Sequence, residues 1–322
     1  MNVRRLIPTA AVTAVTALGL GTLSACAGDS AAAGNTDKFD VVASFYPMAF
    51  LAERIGGEHV NVTSLTQPGQ EPHDLEISAK QTAQLQESDA ALYLSGLQPS
   101  VDEAIGQAEL KTKIDAAKLT SLETHADEDG HEDEHADEHA DDHGHAHEAG
   151  EDPHVWLDPV KYAEVAEGVG AAFAKADPDH AADYRKNTEA LVGELGDLDT
   201  RFESGLKNRA TDVFITTHAA FGHLAGRYGL TEEAINGLDP ESEPSGARVK
   251  ALERTAKADG VTTVFYETLV SDRTAKMLAS DAGLKTDVLD PLEGITDASR
   301  GDDYFQVMEA NLAALKKALG AK

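Results

Sequence analysis

Cysteine is almost missing from this chain: Cys26 is the single one in 322 residues. No disulfide can therefore close within the chain, and a metal site in the folded part must be built from nitrogen and oxygen donors. Positive charge is also scarce. Against 57 Asp and Glu stand 27 Lys and Arg, a formal net charge of −30, which argues against nucleic acid or an anionic membrane surface as a partner. The deficit is concentrated. Residues 123–152 contain no Lys or Arg, and from Thr124 to Asp152 no apolar residue exceeds alanine. Such a stretch cannot bury a helix face, so it is expected to be disordered.

The length suits two domains of ordinary size, each able to bury its own core. The first 25 residues stand apart: Arg4-Arg5, a mostly apolar run of small residues from Leu6 to Leu20, then Leu23-Ser24-Ala25-Cys26. This reads as an export signal and not as a membrane span. Its end resembles a bacterial lipobox, which implies cleavage before Cys26, a lipid on its sulfur, and residues 26–38 as a tether.

The folded part opens as a βαβ unit. Strands are predicted over Asp40 to Phe45 and His59 to Leu65, with a helix from Pro47 to Gly57 between them. After a loop from Gln67 to Ser78 come a polar helix to about Ser88, a strand from Ala90 to Leu94, a helix from Pro99 to Ala108 and a strand around Leu119 to Leu122. Asp177-Pro178-Asp179 divides a helix ending at Ala176 from a second running to about Asn208. The segment 179–208 would be about 45 Å long if wholly helical, enough to connect two lobes. Beyond it, strands are expected at Asp212 to Thr216, Glu233 to Leu238, Thr262 to Tyr266 and Thr286 to Leu289, with helices from Ala220, over Ser245 to Ala258, over Arg273 to Ala282 and over Asp302 to Leu319. The fold class is α/β: two similar lobes of parallel sheet flanked by helices, 39–178 and 209–322, joined by one long rigid helix.

Candidate ligands lie where strands end. In open parallel sheets, loops and helix N-termini converge at the carboxyl ends of the strands, so ligands gather there. His73 follows the strand ending at Leu65, His218 the strand ending at Thr216, and Asp290 the strand ending at Leu289. His154 sits in Asp152-Pro153-His154-Val155-Trp156-Leu157-Asp158-Pro159, where two prolines stiffen the backbone and Trp156 and Leu157 can anchor it. Taken singly, His73 reads as well as a solvated loop residue, and Asp290 as a cap before Pro291. Together the four specify a metal site between the lobes. His223 is expected on a helix, and His59 and His180 at the surface, all three without a role.

The segments Pro72-His73-Asp74-Leu75-Glu76, Asp152 to Pro159, Thr217-His218-Ala219-Ala220-Phe221, Phe265-Tyr266-Glu267-Thr268-Leu269 and Leu289-Asp290-Pro291-Leu292 resemble the metal-binding solute-binding proteins of bacterial ABC transporters, specifically the zinc-uptake lipoproteins of the ZnuA type. The similarity covers Phe39 to Leu319. It implies His73, His154 and His218 as ligands, with Asp290 as a fourth group that binds directly or leaves room for water. Manganese carriers of the family typically offer two histidines and two carboxylates, so His218 in the third position favours zinc. The function implied is extracytoplasmic capture of zinc and its delivery to a membrane permease, by a monomer anchored through Cys26 and with no chemistry of its own. A manganese or other divalent-metal carrier, a zinc-dependent hydrolase and an adhesive surface lipoprotein are the competing readings.

The acidic run carries seven histidines between residues 123 and 152. Within it, His131-Glu132-Asp133-Glu134-His135 matches the H-E-x-x-H pattern of zinc peptidases, which functions only on a buried helix. The composition denies it one. The expectation for His131, His135, His139, His143, His145 and His147 is weak secondary zinc binding, as a collector or level sensor.

Overall fold

The computed structural model describes residues 38–122 and 151–322; the signal, Cys26, most of the tether and the histidine-rich run all lie outside the described residues. Two four-stranded parallel sheets carry the fold. In the first, β1 (Phe39–Ala43), β2 (Val60–Ser64), β3 (Ala90–Tyr93) and β4 (Thr112–Asp115) assemble in the order β2-β1-β3-β4. In the second, β5 (Val213–Thr216), β6 (Thr231–Ala234), β7 (Thr263–Tyr266) and β8 (Lys285–Val288) repeat that pattern as β6-β5-β7-β8. Each order reverses direction between its first and third strands, the place where an open α/β sheet leaves a crevice at its carboxyl edge.

The helices start and stop where local chemistry dictates. Pro47 and Pro99 open α1 (Tyr46–Gly56) and α3 (Pro99–Gln107), where a missing N–H costs nothing. Ser78 and Gln81 form a reciprocal capping box at α2 (Ala79–Glu87). Asp158 accepts from the backbone of Val160 and Lys161 to start α4 (Pro159–Ala176). In the second half come α6 (Gly222–Tyr228), α7 (Gly246–Ala258), α8 (Arg273–Ala282) and α9 (Tyr304–Leu319).

The long connector is α5, Ala181–Gly205. It spans about 37 Å and is shorter than the 179–208 segment because Pro178–His180 forms a separate 3-10 turn and Leu206 already caps the end. One face, Tyr184, Leu191, Leu195, Leu198 and Phe202, is fully buried. Along its length α5 pairs with α4, and it touches α1 of the first half and α9 of the second. The main apolar cluster runs through both halves, from Val41 and Phe45 to Phe214, Leu289 and Tyr304, with a smaller one beside each sheet.

One predicted strand is wrong, and another, Glu233 to Leu238, is displaced: it lies at Thr231–Ala234. The fourth strand of the first sheet is Thr112–Asp115 and not Leu119 to Leu122. It contributes only one large apolar residue to the interior, Ile114, because Asp115 turns at once to cap the 3-10 turn Ala116–Lys118. Leu119 and Leu122 pack on the core from that turn, so the apolar signal is real but does not mark the strand.

Candidate metal centre

Three histidines and a glutamate converge between the two sheets. His73 comes from the loop after β2, His154 from the segment before α4, His218 from the loop after β5 and Glu293 from the loop after β8. One ligand atom from each of the four lies within 4.8 Å of all the others. A single oxygen, Glu293 Oε1, stands 3.1 Å from His73 Nε2, 3.3 Å from His154 Nε2 and 3.4 Å from His218 Nε2. His154, His218 and Glu293 are buried, and His73 is the member that reaches partial exposure.

Carboxylates behind two of the imidazoles decide which nitrogen faces inward. His154 Nδ1 donates to Asp152 Oδ1 at 2.7 Å, and His218 Nδ1 donates to Glu267 Oε1 at 2.9 Å. Holding the proton on Nδ1 leaves the Nε2 lone pair for a ligand, and the charge behind the ring raises its basicity. Asp152 Oδ1 also accepts from the backbone N–H of His154, a local turn that Pro153 stiffens. Glu267 directly follows β7 and accepts from the Thr217 hydroxyl at 2.5 Å. Behind Asp152, the buried His223 donates from Nε2 to its carbonyl oxygen at 2.9 Å. His223 is therefore part of the support, which its bare position on α6 did not reveal.

The His73 loop is anchored through its backbone. Glu71 accepts from the N–H groups of His73 and Asp74, at 3.0 and 3.2 Å, and the buried amide of Gln98 donates to the Pro72 carbonyl. Leu75 buries itself just beyond.

Burial opposes a charge on His154, but the hydrogen bond and charge of Asp152 and the contact with Glu293 outweigh it and lift its pKa to about 9. His218 moves up for the same reasons, burial being overcome by Glu267 and Glu293. Burial would raise Glu293, but contacts from His154, His218 and His73 hold it well below the usual carboxylate range. Glu232, half-buried nearby against Thr216, is pushed up to about 7 by desolvation. His154 Nε2, His218 Nε2 and Glu293 Oε2 are buried without a hydrogen bond of proper geometry. Buried polar atoms are normally satisfied, so two such imidazole nitrogens facing one oxygen of Glu293 fit a cation site.

Asp290, the fourth ligand expected from the sequence, is not in this group. Its Oδ1 accepts from the backbone N–H of Leu292 at 2.9 Å and its Oδ2 from the Thr268 hydroxyl at 3.2 Å. Burial raises its pKa. Glu293, three residues later, supplies the carboxylate. The segment Leu289-Asp290-Pro291-Leu292-Glu293 offers two acids around a proline turn, and only the turn's geometry selects between them. Asp152 and Glu267 lie within the sequence motifs of the site, but their supporting part depends on which ring nitrogen each approaches. His59 and His180 are half-buried and not simply at the surface: their rings stack at 4.1 Å, paired with Asp183 and Asp177.

Residues 41–318 match the family model described as zinc-uptake complex component A, periplasmic. The high-affinity zinc uptake system protein ZnuA of Bacillus subtilis is 37% identical over 320 residues, covering 94% of this chain and 98% of that protein. The zinc-binding lipoprotein AdcA of Streptococcus pneumoniae is 35% identical over 301 residues, covering 92% of this chain but 58% of AdcA, so the chain spans little more than half the length of that relative. The crystal structure of the Zn(II)-bound ZnuA-like domain of the pneumococcal AdcA superposes with a TM-score of 0.70 at 33% identity, covering 88% of this chain and 99% of the domain.

Proposed function

Since the chain belongs to the family of periplasmic zinc-uptake component A proteins, we propose that it captures zinc with His73, His154, His218 and Glu293 and passes it to an ABC permease for uptake. The observation that carries this reading is the convergence of three Nε2 atoms on Glu293 Oε1 within 3.4 Å. Three neutral imidazoles and one carboxylate suit four-coordinate zinc; manganese prefers more oxygen donors. Four protein donors close the site, whereas a catalytic zinc keeps a position for activated water. The protein's work is therefore binding and delivery, without catalysis. The pneumococcal relative is named a lipoprotein, which supports an extracytoplasmic location with a lipid on Cys26 as the anchor. The folded part acts as a monomer whose two lobes each supply two ligands.

The test is metal analysis and competitive zinc titration of the wild type beside His73→Ala, His154→Ala, His218→Ala and Glu293→Gln. One tightly held zinc is expected in the wild type, weakened by orders of magnitude in each histidine variant. Wild-type affinity in two of the three histidine variants would overturn the assignment.

A further inference from the structure

We propose that Asp290 is the positioning residue of the metal centre: it holds the turn that aims Glu293 at the three histidines, and it does not touch the ion. The inference rests on Glu293 being a ligand. Its physical basis is the backbone of Leu292, which lies at φ 59°, one of two non-glycine residues with positive φ among the described residues. A turn with proline first and a left-handed residue second ordinarily places glycine in that second position. Leucine there is strained, and such strain persists only where the surroundings over-determine it.

Asp290 supplies that determination. Its Oδ1 accepts from the strained residue's own N–H, and its Oδ2 is held by Thr268. Its main chain is clamped from α9: the Asp290 N–H donates to Asn311 Oδ1 at 2.9 Å, and Asn311 Nδ2 donates to the Asp290 carbonyl at 2.7 Å. Asp290, Leu292, Glu293 and Asn311 are all buried. If Leu292 relaxed to an ordinary negative φ, the chain direction at Glu293 would change, and its carboxylate would leave the point where it meets three Nε2 atoms. Asp290 thus sets the fourth donor by shaping the loop that presents it.

The experiment uses the full-length protein loaded with Co2+, whose visible ligand-field absorption reports coordination number, together with zinc affinity by chelator competition. Asparagine keeps an oxygen that accepts from the Leu292 N–H, so Asp290→Asn should retain the wild-type cobalt spectrum and stay within about threefold of wild-type zinc affinity. Asp290→Ala should lose about 10- to 100-fold in affinity, the usual cost of removing a group behind a ligand, and weaken the four-coordinate cobalt band. Adding Leu292→Gly to Asp290→Ala should restore the band, because glycine adopts the positive φ unaided.

An Asp290→Asn protein that loses as much affinity as Glu293→Gln, with an altered spectrum, would mean that Asp290 binds the ion. An Asp290→Ala protein with wild-type spectrum and affinity would mean that the turn needs no such support. Either result overturns the proposal. Should Asp290→Ala not fold, the comparison of Asp290→Asn with Glu293→Gln decides alone. Failure of the site itself shows separately, as wild-type zinc binding in both Glu293→Gln and His154→Ala.

Discussion

The indole N–H of Trp156 donates to the carbonyl oxygen of Pro291 at 2.7 Å, joining the segment that carries His154 to the turn that carries Glu293. The tryptophan is fully buried, its ring centroid 5.1 Å from that of His154, and its own carbonyl accepts from the Tyr304 hydroxyl at 2.6 Å. One side chain therefore packs on a ligand and fastens the loop of another.

Trp156→Phe should leave the Pro291 carbonyl buried and unpaired, at a cost of about 1–3 kcal/mol. Chemical denaturation of the metal-free protein should show that loss. Zinc dissociation should accelerate as well, because the two ligand loops are no longer joined; an unchanged dissociation rate would confine the tryptophan to a packing role.

The carboxylates behind the imidazoles make a second prediction. Asp152→Asn and Glu267→Gln should each weaken zinc binding about 10- to 100-fold while the three histidines remain in place. Competition titrations at fixed pH would show it, and affinities equal to wild type would mean that packing alone orients the rings.

Affinity should depend on pH over a wide range. Zinc takes the neutral imidazole, and in the metal-free protein the proton on His154 is held up to about pH 9, with His218 shifted in the same direction. Protons therefore compete with zinc through neutrality: affinity should rise as pH increases from 6 towards 9, with proton release on binding at pH 7. The same groups predict that the metal-free fold is favoured by these protons below the ordinary histidine value near 6.5 and loses that contribution as pH rises through about 9. Titrations in buffers of differing ionisation enthalpy measure the proton count, and a count of zero at pH 7 would refute the prediction.

The contact between α4 and α5 is close at Gly170, where an added methyl group would fall 2.1 Å from Thr188 Oγ1. Thr188 is buried and its hydroxyl donates to the Tyr184 carbonyl. Gly170→Ala should therefore cost about 1–3 kcal/mol through overpacking, despite alanine's higher helix propensity. Thermal unfolding would reveal it; a gain in stability would show that the helix pair can spread without loss.

Deleting residues 123–151 should leave the tight zinc equivalent intact and remove weaker ones, because the acidic run has no large apolar residue to preorganise its histidines around an ion. Calorimetric titration of the deletion against wild type distinguishes the outcomes. Identical isotherms would reduce the histidine-rich run to a solvated insert.

The sequence by itself determined the α/β alternation, the helix boundaries set by prolines and capping residues, the three histidines and the need for nitrogen and oxygen donors. These follow from local rules: apolar periodicity, backbone chemistry at proline and serine, and the absence of all but one cysteine. Tertiary structure decided the rest. The edge strand Thr112–Asp115 is held by its pairing with β3, so its composition carried little signal. Asp290 and Glu293 are three residues apart, and both are acids after a strand. The positive φ of Leu292 and the bonds from Leu292, Thr268 and Asn311 turn one into the loop's frame and the other into the cluster. Those partners lie up to 22 residues away in the chain. The direction of a carboxylate depends on what packs around its backbone, and no local pattern encodes that.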